Sequence, residues 1–423
     1  MTDESTDVLI IGAGPTGLAL SIALHQRGVR HLLIDRLQQG QNTSRAGVIH
    51  AQTLESLRGL GVAERMTALG LKLDAFSIRD RDRPLLRLGF RHLPSAHPYL
   101  LMLPQNVTEA VLAGRIAELG GNIQRGVTAE SVEQGPDGVR VTLSGSSGQR
   151  VIAAKWVVGG DGMHSLVRRA AGVEFEGASY EDSFVLADVH LDRAPAPDEV
   201  SLFFSPDGLV VVAPLPTGTF RVVATLDDAP EKPSASDIQR LLDTRGPIRN
   251  RSRVLDVTWS SRFRLHHRLA RSYRSGRLLL MGDAAHVHSP AGGQGMNTGI
   301  EDAVVLGQLL ADVAKGVRDE VALDMYDELR RPAASEVLAL ADRLTTLATV
   351  QSPLRRLLRN AFLRTIDVLP FVKHRIELGL SGLSRAAFAQ VPPVEVKGSL
   401  PPPRQRTLND GRAPGLKPGL ATK

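Results

Sequence analysis

Three short runs of this sequence combine glycines with a well-placed carboxylate, a pairing suited to a ligand that carries both phosphates and sugar hydroxyls. The first is Gly12-x-Gly14-x-x-Gly17, with Pro15 and Thr16 inside it and Asp35-Arg36 following about twenty residues on. Gly12 permits a tight turn, Gly14 lets backbone approach a pyrophosphate, and Gly17 lets a helix close on a strand. The helix that begins here offers its free N–H groups and positive dipole end to the phosphates, and Asp35 can accept from an adenosine ribose. The second run is Gly282-Asp283-Ala284-Ala285-His286, continuing through Pro290 and Gly293 to Gly295-Met296-Asn297. Its small residues let bare backbone reach a flat ring, and Asp283 suits a ribitol or ribose hydroxyl. The third is Gly160-Asp161-Gly162, followed by Ser165, a helix-capping residue type, and Arg168.

Each run follows an apolar stretch that reads as a buried strand: Asp7–Ile11, Trp156–Val158 and Leu278–Met281. Asp7–Ile11, a helix over Thr16–Gln26 and a second strand over His31–Ile34 form a β-α-β unit, which implies a parallel sheet. Further helices are expected over Thr53–Leu60 and Thr108–Leu119, and from Ile300 onward; Gly138–Leu143 and Val151–Val158 read as strands. After Gly172 short β-like runs, Phe184–Leu191, Glu199–Phe204, Leu209–Pro214 and Phe220–Leu226, predict an antiparallel sheet. The expected fold class is therefore α/β: a Rossmann-like, dinucleotide-binding domain, an inserted antiparallel-sheet domain and a C-terminal helical segment. The boundaries drawn are 1–75, 100–180 and 265–350 for the first domain and 76–99 with 181–264 for the second. Helices fill 351–391, and 392–423 is a flexible tail rich in Pro and Gly.

The chain has 423 residues, of which 42% are hydrophobic and 23% charged, a balance that fills a sizeable core. It has no cysteine, which excludes disulfides, thiolate metal sites and a cysteine nucleophile. His286 and His288 lack a third ligand, so no metal site is expected. A net charge of +6 stems largely from an arginine-rich stretch between Arg240 and Arg277. No nucleic-acid-binding module accompanies it, and it is read as a solvated surface, or more weakly as a field for an anionic co-substrate. Acidic residues precede the first apolar run, where a secretory signal needs positive charge, so a cytoplasmic protein is expected. Arg355, Arg356, Arg359 and Arg364 stand among leucines in Ser352–Leu383, a pattern that fits a membrane surface but is read as a helix packed on its own protein.

Together these motifs, in this order, resemble the para-hydroxybenzoate hydroxylase-type flavoprotein monooxygenases, and within them the aromatic polyketide hydroxylases. The resemblance runs from about Asp7 to about Leu383. It implies FAD as cofactor, with Asp35 on the adenosine ribose, Arg45 near the pyrophosphate and Gln105 on the flavin side chain. Asp161 would touch FAD and NAD(P)H, Asp283 would hold the ribityl or ribose hydroxyls, and Pro290 with Gly293–Asn297 would line the isoalloxazine. Many such relatives carry a C-terminal thioredoxin-like domain; Asp410–Pro414 looks like its opening, and the chain is expected to lack the remainder.

The implied reaction is reduction of FAD by NADPH or NADH, capture of O2 as a flavin C4a-hydroperoxide, and oxygen transfer to an aromatic or polycyclic small molecule. Gly292–Gly295 would serve as a berth for a mobile flavin. Period-two alternation puts Val185, Ala187 and Val189 on one face of the sheet and Leu186, Asp188 and His190 on the other. Val185, Ala187, Phe203, Val211, Ala213, Leu215 and Arg221 are the candidate substrate contacts, and no catalytic base is recognisable. A reductase, an epoxidase, a Baeyer–Villiger-type oxygenase and a flavin-binding accessory protein remain alternatives. A monomer or homodimer is expected.

Overall fold

Val8, Leu9 and Ile10 are fully buried because the strand that carries them, Glu4–Ile11, lies between two parallel neighbours. His31–Asp35 flanks it on one side and the long strand Gly148–Gly159 on the other. Leu278–Leu280 and then Arg274–Ser275 extend the sheet beyond Gly148–Gly159, and Ile123–Arg125 extends it beyond His31–Asp35. Strands flanked on both sides of a sheet by packed elements read as continuous apolar runs, which is why these were legible. The helix Pro15–Gln26 packs on Gln105–Glu118 and on Gly295–Ala314. The computed structural model describes residues 4–394 apart from 41–45, 227, 290–291, 349 and 351, and only the backbone of 179–182 and 264–266. Residues 1–391 form one compact unit; almost all of a second, 392–423, lies outside the described residues, as does the expected tail.

The second sheet has eight strands, ordered from His286–Val287 through Val254–Ala270, Phe175–Leu191, Phe220–Thr225, Gly208–Pro214 and Glu199–Ser205 to Ala75–Asp80 and Arg83–Gly89. It is antiparallel except where Glu199–Ser205 runs parallel to Ala75–Asp80. Two strands are longer than their sequence suggests: Phe175–Leu191 and Val254–Ala270 pair along nearly their whole length. Part of the arginine-rich stretch is thus a strand in a ladder. The helix Ala235–Arg245, closed at its start by a Ser234–Asp237 capping box, covers one face of this sheet.

Two helices begin earlier than apolar periodicity indicates. Gln105–Glu118 starts directly after Pro104, and Gly295–Ala314 starts five residues before Ile300. In both, the first turn has a single large apolar side chain, Val107 or Met296, among glycine and polar residues, so hydrophobic spacing carries little signal there. The chain then folds as helices Asp324–Ala348, Pro353–Asp367 and Pro370–Leu380.

Candidate functional site

The first glycine loop separates three roles by geometry. Gly12 adopts φ +106°, and a Cβ there would stand 2.3 Å from the Gly160 carbonyl oxygen. A Cβ on Gly17 would stand 1.9 Å from the Gly12 oxygen, so helix and turn touch through it. On Gly14 a Cβ would meet nothing within 4 Å, because that side of the loop faces a cavity. The helix Pro15–Gln26 has no side-chain cap and no acid in its first turn, leaving its N-terminal N–H groups directed at that space. Asp35 accepts from the Ala13 N–H at 2.7 Å and the Leu37 N–H at 2.8 Å while lining the same cavity, so the loop and the carboxylate are fixed together.

Gly282 and Asp283 sit in a single 3-10 turn at the end of Leu278–Leu280. A buried network that sequence reasoning missed holds this turn. Asp302 accepts from the Gly282 N–H at 3.1 Å, from His286 Nε2–H at 2.6 Å and from Arg330 Nε–H at 2.8 Å. Arg330 is fully buried and also reaches Glu301 at 3.2 Å. Burial alone would raise the Asp302 pKa, but His286 and Arg330 more than offset it and hold the carboxyl below its usual range. Glu301 is raised by burial, with Arg330 opposing. The available signal was the adjacent pair Glu301-Asp302 on the buried part of a largely apolar helix.

Asp161 also works through backbone. One oxygen accepts from the Leu166 N–H at 2.7 Å and, more weakly, from the Val167 N–H at 3.3 Å, capping the short helix Leu166–Ala170. Its other oxygen is buried with no partner among the described residues. Arg168 donates to the carbonyls of Ala284 at 2.8 Å and Met163 at 2.7 Å, tying this turn to the Gly282–Ala284 turn. Three separate stretches of chain are thereby held around one space.

The helix Gly295–Ala314 also starts without a side-chain cap or an acid, and Gly293, Gly295 and Met296 line the cavity. Asn297 does not line it. Its amide accepts from the His50 N–H at 2.9 Å and donates to the carbonyls of Val48 at 3.0 Å and Gly293 at 2.8 Å, pinning the glycine segment against the early chain. His50 Nε2–H donates to the Gly292 carbonyl at 2.8 Å, and burial, with Arg385 nearby, lowers this histidine to about 4. His288 is lowered to about 4 for the same chief reason, so both rings in this wall are neutral at physiological pH. Arg45 and Pro290 lie outside the described residues.

The cavity has a volume of about 840 Å³ and joins the glycine loops to the second sheet. Besides the residues named, Pro15, Thr16, Arg36 and Gln105 line it. Gln105 accepts from the Ala46 N–H at 3.2 Å and donates to Glu109 at 2.9 Å. At its far end the wall is Phe184, Leu186, Leu202, Val211, Val223 and Phe263, with Ala213 and Arg221. Arg221 is buried and makes a two-pronged pair with Asp188, both contacts at 2.8 Å, and donates to the Ala46 carbonyl. Val185, Ala187 and Phe203 are corrected to the opposite face, where they pack with Val189 under the helix Ala235–Arg245. Leu215 belongs to another buried cluster and does not reach the cavity. Gly17 likewise stays out of the wall, in its packing role.

This space suits a long ligand. Two uncapped helix N-termini suit anionic or electron-rich groups, Asp35 and Asp283 suit sugar or sugar-alcohol hydroxyls, and glycine-lined walls suit a flat ring. No group of side chains that could hold a metal occurs among the described residues. No helix of the described residues is long and apolar enough to cross a membrane.

Known proteins share both the sequence and the architecture. Residues 5–341 match the family described as FAD binding domain. The chain is 37% identical over 391 residues to 6-methylpretetramide 4-monooxygenase of Streptomyces rimosus, covering 90% of this chain and 70% of that protein. Among solved structures, p-nitrophenol 4-monooxygenase from Pseudomonas putida superposes with a TM-score of 0.83 at 25% identity, covering 92% of this chain and 100% of the other. Anhydrotetracycline hydroxylase from Streptomyces rimosus superposes with a TM-score of 0.76 at 33% identity, covering 90% and 76%.

Proposed function

Since the chain belongs to the FAD binding domain family, we propose that it is an FAD-dependent monooxygenase that adds one oxygen atom of O2 to an aromatic, polycyclic small molecule at the expense of NADH or NADPH. The observation that carries this reading is the single cavity connecting the Gly12–Gly17 loop to the apolar face of the second sheet. When bound, FAD supplies the redox chemistry and the activation of oxygen. The protein supplies position, polarity and exclusion of water.

Gly14, Pro15, Thr16 and the N-terminus behind them would hold the pyrophosphate, with Asp35 on the adenosine ribose and Arg36 beside it. Asp283 would hold the ribityl chain, Gln105 the flavin side chain, and Gly293, Gly295 and Met296 the ring. The resemblance adds Arg45 and Pro290 to this set. The Gly295 helix N-terminus would favour electron density on the near edge of the ring. Phe184, Leu186, Leu202, Val211, Val223 and Phe263 would enclose the substrate, and an apolar enclosure of this kind favours a fused-ring compound over a small polar one. The relatives' names, a pretetramide and an anhydrotetracycline oxygenase among them, support that substrate class. The two-domain division is proposed with one adjustment: the second sheet's strands Phe175–Leu191 and Val254–Ala270 cross the boundaries drawn near 180 and 265, and its strand His286–Val287 lies within the stretch drawn for the first domain.

The test is to purify the chain, record its visible spectrum and follow NAD(P)H consumption with a panel of polycyclic phenols and quinones, scoring products that gain one oxygen. Asp283→Ala should lose most of its bound FAD. Val211→Trp should keep its FAD and lose substrate-stimulated turnover, because its side chain grows into the substrate end alone. A preparation that folds, stays colourless and takes up no added FAD would overturn the assignment.

A further inference from the structure

Two side chains of the cavity wall come from helices late in the chain. Leu344 lies in the last turns of Asp324–Ala348, and Leu380 ends Pro370–Leu380. Both line the cavity. A Cβ built on Gly292 would stand 3.5 Å from Cδ1 of Leu344 and 3.6 Å from Cδ1 of Leu380, so both leucine ends rest against that glycine. The wall therefore changes at Gly292 from bare backbone, suited to a flat ring, to branched apolar side chains. Leu380 belongs to the same buried cluster as Phe184 and Leu202, which line the substrate end, whereas Leu344 is only partly buried.

Hydrogen bonds fix the two leucines in place. The Leu380 carbonyl accepts from the Gln294 side-chain amide at 2.8 Å, and Arg385 donates to the Gly379 carbonyl at 3.0 Å and to Gln294 Oε1 at 3.3 Å. The Ser381 carbonyl accepts from the Gln52 N–H at 3.2 Å. Thr345, next to Leu344, is hydrogen-bonded to the Ser289 hydroxyl at 3.3 Å. Each leucine is thus tied, at its own backbone or through its neighbour, to one end of the stretch 289–294. The turn has little room to retreat, since Gly293 packs against Val48, where a Cβ would stand 2.1 Å from Cγ1. A wall held this way discriminates by size, because a group too large for it finds no relaxed position.

We propose that Leu344 and Leu380 are specificity-determining residues, which set the largest substituent a fused-ring substrate can carry where it lies against the Gly292 turn. The inference rests on the FAD-dependent reading above and concerns the substrate rather than the cofactor. The pair offers only methyl and methylene surface. The substrate edge that meets it is therefore bare ring or a methyl group, since a hydroxyl or carboxylate there would lose water without gaining a partner from either leucine.

The experiment reads ligand binding from the visible spectrum of the FAD-loaded chain without NAD(P)H, so that turnover plays no part. The probes are hydroxyanthraquinone and its tert-butyl and carboxyl derivatives, one for each free ring carbon. The unaltered chain should bind the parent compound and reject the tert-butyl isomers. Leu344→Ala should improve binding of at least one tert-butyl isomer by about 10-fold or more, without helping the matching carboxyl isomer. Leu380→Val should admit the same isomer to a smaller degree, and Leu344→Phe should weaken the parent compound. A gain of binding cannot come from damaged folding. A tert-butyl ranking unchanged in both Leu344→Ala and Leu380→Val, with FAD content intact, would overturn the proposal and leave the cofactor reading standing. An unaltered chain that takes up no FAD would instead overturn the reading beneath it.

Discussion

Gly14 and Gly17 lie three residues apart, yet a side chain has opposite consequences at the two positions. At Gly14 the space belongs to the cavity, so Gly14→Val should leave folding intact and exclude the ligand's diphosphate, weakening FAD binding by about 100-fold, or about 2.7 kcal/mol. At Gly17 the space belongs to the Gly12 carbonyl, so Gly17→Ala should cost about 1–3 kcal/mol of stability through forced displacement. Thermal unfolding of the apoproteins and FAD titration separate the two outcomes. A Gly14→Val protein that binds FAD normally would show that the loop does not meet the diphosphate. The backbone demands at these two positions were readable from sequence because each follows from local geometry. The placement of Asn297 was not, because its amide is used on Val48 and His50, which are distant in sequence.

Among the elements, the most consequential arrangement is the buried set on the helix Gly295–Ala314 that holds the Gly282–Asp283 turn. Asp302→Asn keeps the shape but leaves Arg330 short of its main counter-charge, which should cost about 3–5 kcal/mol. Because Asp302 also holds Gly282, the same variant should lose FAD occupancy although it does not line the cavity. Arg330→Met should destabilise as well. The double variant should cost less than the sum of the two, which is the mark of a direct pair. Additive losses in a chemical denaturation series would show that the two side chains act separately. The second sheet teaches a related lesson. Alternation correctly divided its residues into two faces, and the helix Ala235–Arg245 decided which face was closed to ligand.

For the molecule as a whole, buried neutral histidines make stability depend on pH. His31, His50 and His288 are each lowered by burial to about 4 in the folded chain. The unfolded chain takes up their protons near pH 6.5, so between about 6.5 and 4 it binds more protons than the folded one. Their stabilising contribution is complete above that window and is lost as pH falls through it, by about 1.4 kcal/mol per pH unit for each histidine. Glu109 and Glu301, raised by burial, act with the opposite sign and blunt the lower part of the window. Urea midpoints should therefore fall steadily from pH 7 to pH 5, and His31→Gln, remote from the cavity, should reduce that slope by one histidine's share. A flat profile over this range would contradict the burial of these rings.

The sequence by itself determined the glycine turns, the carboxylates that end the strands and their order along the chain. Those features depend on φ, on close backbone approach and on strand ends, all of which are local. Only the tertiary structure decided that Val211 and Ala213 face the cavity while Val185, Ala187 and Phe203 do not, that Asp302 and Arg330 brace the late turn, and that one side of Pro353–Asp367 is left uncovered by the described residues. In each case the deciding neighbour comes from a distant part of the chain, and a pattern of apolar residues specifies that a face is to be covered without specifying what covers it.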